Sequence, residues 1–253
     1  MKMNSTTPHH FDRGAARSLA HRQKKICVSI ETGHFLGLKK INNATLRQKV
    51  YDQLRTKILG AELLPGEIVS LRGLAEKFGV SMLPVREAVW QLESESILVV
   101  ECNKNIQVNH LTRKEFREIL SLRLLLESEA VDKACRLRPE KAIPKVKKIY
   151  DAMGRQVNVN HKAYIKKNDQ FHKAIYSCAN SPLLLDLIQR LLSRVNPYVY
   201  LYAIDNMDLS TAVACHRKMF DGFSAGDSRK TISALHRDLQ EAGSVILPHL
   251  KPS

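Results

Sequence analysis

The chain has 253 residues, 44% hydrophobic and 26% charged, which excludes a disordered polymer and leaves room for one large domain or two small ones. A formal net charge of +15 points to an acidic partner, nucleic acid first, and the scattered, odd set Cys27, Cys102, Cys135, Cys178 and Cys215 argues against a disulfide framework or a C-x-x-C zinc site. There is no run of 18 apolar residues and no apolar centre of a signal peptide near the basic start, so a cytoplasmic protein with no membrane partner is expected.

Residues 1–43 carry eight Lys/Arg against Asp12 and Glu31 and show no sustained periodicity. They read as a basic arm, or as an extension with no role. Residues 44–111 balance eight basic against eight acidic side chains, so charge alone does not locate a nucleic-acid surface there. In that stretch Thr45 is placed to cap a helix with apolar positions Leu46, Val50, Leu54 and Ile58, and Gly60 to end it. Leu64-Pro65-Gly66 predicts a turn. Short helices follow over about 71–78 and 82–95, separated by Gly79, with Ser81 as N-cap of the second and Pro84 in its first turn. Two β-like runs, 97–101 and 106–109, joined by residues 102–105, predict a hairpin. Helical periodicity then fills the chain, at about 113–136, 139–156, 160–179, 182–203, 209–224 and 228–247. The expected fold is mainly α: a winged helix-turn-helix over 44–111, then an all-α antiparallel bundle over 112–253.

The turn between the two short helices is specific. Ala75 is small enough for close helix approach, Gly79 takes the turn's unusual backbone angles, and Val80 plugs the space between the helices. The run Leu74-Ala75-x-x-x-Gly79-Val80-Ser81-x-x-Pro84-Val85-Arg86-Glu87-Ala88, continuing through Leu92-Glu93 to Ile97-Leu98-Val99, resembles the GntR superfamily of bacterial regulators. The resemblance implies that Arg72 and Arg86 meet DNA bases and phosphates, with Ser81, Met82 and the wing tip Lys104-Asn105 beside them. Two departures, Met82 and Leu83, lie at the start of the second helix, and the wing tip carries a third, tolerated difference. Met82 and Leu83 replace an Arg and a Thr common in the family, and Asn105 stands where the wing tip has Gly. Asn tolerates the left-handed conformation that Gly would take.

The helical half resembles the FadR-type branch and its metal-containing FCD sensor domain. The landmarks are Arg123-Leu124-Leu125-Leu126-Glu127, then Asn168-Asp169-Gln170-Phe171-His172 with Asn180-Ser181-Pro182-Leu183-Leu184, then His216-Arg217 with Gly226-Asp227. Asn168 and His172 lie four apart, on one helix face. Imidazoles with oxygen donors suit a divalent metal, Zn, Ni or Mn, and leave coordination positions for water or a carboxylate. The resemblance implies ligands at Asn168, where Asp is common, at His172 and His216, and at a fourth position 22 residues after His216. That position is Asp238 rather than the family's histidine; His236, two residues earlier, is turned about 200° away around a helix. Arg123 is expected either to bind an effector carboxylate or to pair with Glu127 four residues on.

Together these features predict a DNA-binding transcriptional regulator rather than an enzyme. It would act as a homodimer on a two-fold operator in double-stranded DNA, as a repressor controlled by a small organic acid bound beside the metal. A regulator that responds to the metal ion alone and a metal-dependent hydrolase are the alternatives. The hydrolase lacks an H-E-x-x-H or other catalytic motif and leaves residues 45–110 without a role.

Overall fold

The computed structural model describes residues 46–100, 105–157, 159–203 and 209–252. The basic arm, the Thr45 cap, and Lys104 of the wing tip lie outside the described residues. Helix α1 (Leu46–Leu59) buries Val50, Leu54 and Ile58, while Leu46 is exposed, so the apolar stripe begins one turn later than its sequence suggests. The helix stops at Gly60 as expected, but Gly60 is not the left-handed residue of its end. Glu62 N–H donates to Lys57 O (2.8 Å) and Ala61 N–H to Ile58 O (3.0 Å), which makes Ala61 the left-handed residue (φ 53°) of a Schellman end. Leu64 to Glu67 forms the expected turn, closed by Glu67 N–H to Leu64 O (2.9 Å) with Gly66 at φ 85°.

Strand β1 (Ile68–Ser70) was not expected. It is three residues long with no buried position, too short to display a period of two. Ser70 then caps α2 (Leu71–Phe78) by accepting from Gly73 N–H, and Gly79 (φ 64°) ends it. Helix α3 (Met82–Ser94) buries Val85, Ala88, Val89 and Leu92 against Leu74 and Ala75 of α2 and the face of α1. Ser81 occupies the N-cap position with extended angles, but its hydroxyl makes no capping bond. The third helical residue is Pro84, which lacks the N–H that such a hydroxyl would meet. Strands β2 (Leu98–Val100) and β3 (Asn105–Val108) pair antiparallel, and β1 joins the far side of β3 with Val69 opposite Ile106, giving the order β1-β3-β2.

The remaining helices form the bundle. Thr112 and Glu115 make a reciprocal capping box for α4 (Arg113–Leu137). The helix expected at 139–156 divides into a 3-10 turn (Glu140–Ala142) and α5 (Ile143–Gly154), with Pro144 in the first turn of α5. Helix α6 (His161–Ser177) is capped by Asn160. Helix α7 (Pro182–Tyr198) ends early and passes into a π turn over Val199–Ala203. Pro197 explains the change: without an N–H it cannot continue the α ladder back to residue 193. Helices α8 (Leu209–Ala225) and α9 (Ser228–Ile246) pack closely, with a Cβ on Gly222 falling 3.0 Å from Thr231 N.

Phe171, Ile175, Tyr176, Met219, Phe223 and Leu235 anchor the bundle core, and Phe220 is half-buried against it. A separate cluster of Leu111, Phe116, Ile119, Val195, Tyr198, Ile246 and Leu250 sits where the chain leaves the winged domain, and Leu111 N–H donates to the Tyr198 hydroxyl (2.6 Å). Among the described residues no helix is long and apolar enough to cross a membrane.

Candidate functional site

Two surfaces collect the residues singled out above. On the winged domain, Arg72, Ser81, Met82 and Arg86 are all exposed. Arg72, Ser81 and Met82 share a shallow hollow with Ala75 and Gly79 where α2 meets α3, and Arg86 stands one turn further along α3. The unbonded Ser81 hydroxyl is free to donate to an outside acceptor. Arg72 Nε bonds Glu76 Oε1 at 2.9 Å, but with 85% and 66% of these side chains exposed the pair is weak and exchangeable. Asn105 is exposed at the start of β3. Leu83, noted above as a departure, and Trp90, which sequence reasoning passed over, are exposed at 62% and 58% on the same helix. Their spacing of seven, off the buried Val85–Ala88–Val89–Leu92 face, is the pattern that could have shown them.

Inside the bundle, α6, α8 and α9 each contribute one group to a buried cluster. His172 Nε2 lies 3.3 Å from His216 Nε2; Asp238 Oδ2 is 3.4 Å from the first and Oδ1 3.2 Å from the second. Their ligating atoms lie within 4.8 Å of one another. The two outward ring nitrogens are also engaged: His172 Nδ1 is 3.0 Å from the Tyr176 hydroxyl and His216 Nδ1 is 3.1 Å from that of Tyr164. Tyr176 in turn donates to Glu127, whose other oxygen accepts from Arg123 Nε at 2.6 Å. Because the Tyr176 proton goes to Glu127, its oxygen accepts from His172 Nδ1–H, and His172 Nε2 is left with a lone pair aimed into the cluster. Asn168, one turn before His172, has its buried side-chain oxygen without a hydrogen-bond partner. His236 is not in the cluster; its Nε2 meets Ser128 Oγ at 2.7 Å.

The electrostatics follow from this packing. Burial pushes the Asp238 carboxyl up, but His216 and His172, when they carry protons on their inward nitrogens, more than offset it and hold it well below the usual carboxylate range. Burial pulls the Arg123 guanidinium down, but the Glu127 carboxylate outweighs it and holds it above its ordinary value. Burial, reinforced by Glu127, raises the Tyr176 hydroxyl well above its ordinary value and keeps it a donor. Arg123 therefore makes the pair with Glu127 and also lines the cavity that opens onto the cluster. That cavity has a volume of about 510 Å³ and is walled by Asn168, His172, His216 and Asp238. Sequence reasoning missed Tyr164 and Tyr176. They complete an i, i+4 stripe, Tyr164–Asn168–His172–Tyr176, that was legible as one polar face of α6.

Comparison with known proteins agrees with this layout. The family description "Bacterial regulatory proteins, gntR family" matches residues 46–108, and "FCD domain" matches residues 118–241. The HTH-type transcriptional regulator McbR of Escherichia coli (strain K12) is 26% identical over 208 residues, covering 81% of this chain and 94% of McbR. The gluconate operon transcriptional repressor of Bacillus licheniformis is 29% identical over 150 residues, 58% of this chain and 60% of the repressor. The solved structure of E. coli McbR/YncC superposes with a TM-score of 0.74 at 22% identity, covering 82% of this chain and 99% of that one, a likeness of fold. These relatives are regulators of transcription, not enzymes.

Proposed function

Because the chain belongs to the GntR family of bacterial DNA-binding regulators and carries the family's FCD domain, we propose that it is a homodimeric repressor whose hold on operator DNA is released by a small organic acid bound beside a divalent metal. The observation that carries this reading is the convergence of His172, His216 and Asp238 on a cavity that also holds Arg123 and the unpartnered oxygen of Asn168. The Asn168 oxygen is buried without a partner, which costs ~1–3 kcal/mol, and the inward atoms of His172, His216 and Asp238 meet only one another. A divalent ion satisfies all of them. Two imidazoles and a carboxylate, with the Asn168 amide as a neutral fourth donor, suit Zn, Ni or Mn and leave positions for a carboxylate that Arg123 can also meet.

A cavity of about 510 Å³ is far larger than an ion needs, which favours an organic ligand over a response to the metal alone. The name of the gluconate operon repressor links one relative to a sugar acid and to repression. Two recognition helices on a two-fold operator require two-fold protein symmetry, hence the dimer.

The test is operator binding by the full chain at fixed salt, with metal loaded or chelated and with a panel of sugar acids and dicarboxylates. Release by an acid only in the metal-loaded state is the expected result. Arg86→Ala should weaken operator binding by ~1–3 kcal/mol without altering the melting temperature. Release by chelator alone, with no acid present, would move the reading to a metal sensor.

A further inference from the structure

The cavity beside the metal cluster is not enclosed by the sensor helices alone. Arg55, Thr56 and Leu59 of α1, and Gly60 and Glu62 just after it, form part of its wall, so one face belongs to the DNA-binding domain. The four carboxylates that line it already have partners: Glu62 with Lys57, Glu127 with Arg123, Asp169 with Lys173, and Asp238 with the two histidines. Arg55 is different. Its Nη2 donates to the neutral Ser193 hydroxyl of α7 at 2.8 Å, and its Nε reaches Glu95 Oε2 only at 3.5 Å. The other Glu95 oxygen is taken by the Tyr51 hydroxyl at 2.6 Å. A 3.5 Å contact lies at the outer limit of a hydrogen bond, so this guanidinium is less well compensated than Arg123, which has its carboxylate at 2.6 Å. Lys162 and Lys166, exposed on the same wall, add positive charge nearby.

An acid with one carboxylate satisfies the metal and Arg123 and leaves this second cationic position empty. We propose that the cavity takes a ligand with two anionic ends, an α,ω-dicarboxylate or sugar diacid, with one end at the metal cluster and the other on Arg55. This rests on the organic-acid reading above and narrows it. Such a ligand competes with Ser193 and Glu95 for Arg55. Glu95 is the residue that ends α3, so the anion is felt at the base of the recognition helix through a single side chain. Arg55 is then a specificity-determining residue, contributed to the sensor cavity by the domain it controls.

The test compares acids of equal length with one or two carboxylates, gluconate against glucarate and hexanoate against adipate. Each is titrated calorimetrically into the full zinc-loaded chain and into Arg55→Gln and Arg55→Lys. In the natural chain the diacid should bind about tenfold tighter than its monoacid, a difference of ~1.4 kcal/mol. Arg55→Gln should bring that ratio to about one through loss of diacid affinity, and a cooperative thermal transition of the zinc-loaded variant shows that it is folded. Arg55→Lys should retain part of the preference. An undiminished ratio in Arg55→Gln, or monoacids bound as well as diacids by the natural chain, would overturn the assignment of Arg55 and leave the organic-acid reading standing. Failure of all four acids to bind the zinc-loaded chain would overturn both.

Discussion

Two arginine–glutamate pairs share the same spacing of four on a helix and meet opposite fates. Arg72 and Glu76 sit on α2 with most of each side chain in water, while Arg123 and Glu127 sit on α4 with 11% and 1% of theirs exposed. In water the attraction is screened, so Arg72 can exchange its carboxylate for a phosphate or a base edge at little cost. In the bundle the charges have no solvent to return to, and Glu127 is held by Tyr176 as well. The buried pair is thus one end of a chain of contacts, Arg123–Glu127–Tyr176–His172, that fixes which nitrogen of His172 faces the cluster. The difference separates a surface that waits for its partner from a site prepared in advance.

The comparison can be broken most forcefully at Glu127. Glu127→Ala leaves a buried guanidinium and a buried hydroxyl unmatched and should destabilise the chain by ~3–5 kcal/mol, read as a fall in urea midpoint. A loss below ~1 kcal/mol would mean that the pair is not the support described here. Next, Tyr176→Phe keeps the ring packing but frees His172 Nδ1. Metal affinity should drop by about 10–100-fold, measured by competition with a chromophoric chelator, while the melting temperature moves far less. The smallest effect belongs to the exposed pair. Glu76→Ala should alter stability by less than ~1 kcal/mol and tighten DNA binding modestly, because Arg72 loses its competitor. Weaker DNA binding in that variant would assign Glu76, not Arg72, the positive role.

The residue pattern reveals some of this and conceals the rest for definable reasons. The turn at Gly79 and the helices on either side are local, and their backbone demands are visible in residue type. The i, i+4 placement of Asn168 and His172 is equally local. Strand β1 is defined by its pairing with β3, not by its own three residues, so no local pattern announces it. The missing cap at Ser81 was readable from Pro84 three residues later, and the left-handed Ala61 was hidden by the glycine before it. The π turn after α7 follows Pro197, whose effect depends on the helix continuing past it. Arg55 could not be found from sequence at all: its place in the cavity arises from the packing of α1 beside α7, between residues 138 apart in the chain.

The central claim is that His172, His216 and Asp238, drawn from three helices, form one metal site. Elemental analysis of the full chain and four variants, each purified in the same zinc- and manganese-supplemented buffer and then desalted, tests it most directly. The account predicts about one divalent ion per chain in the natural protein and in His236→Ala, whose ring is bonded to Ser128 outside the cluster, and loss of the ion in His172→Ala, His216→Ala and Asp238→Ala. Retention of the ion in both His172→Ala and His216→Ala, or its loss in His236→Ala together with retention in Asp238→Ala, would contradict it.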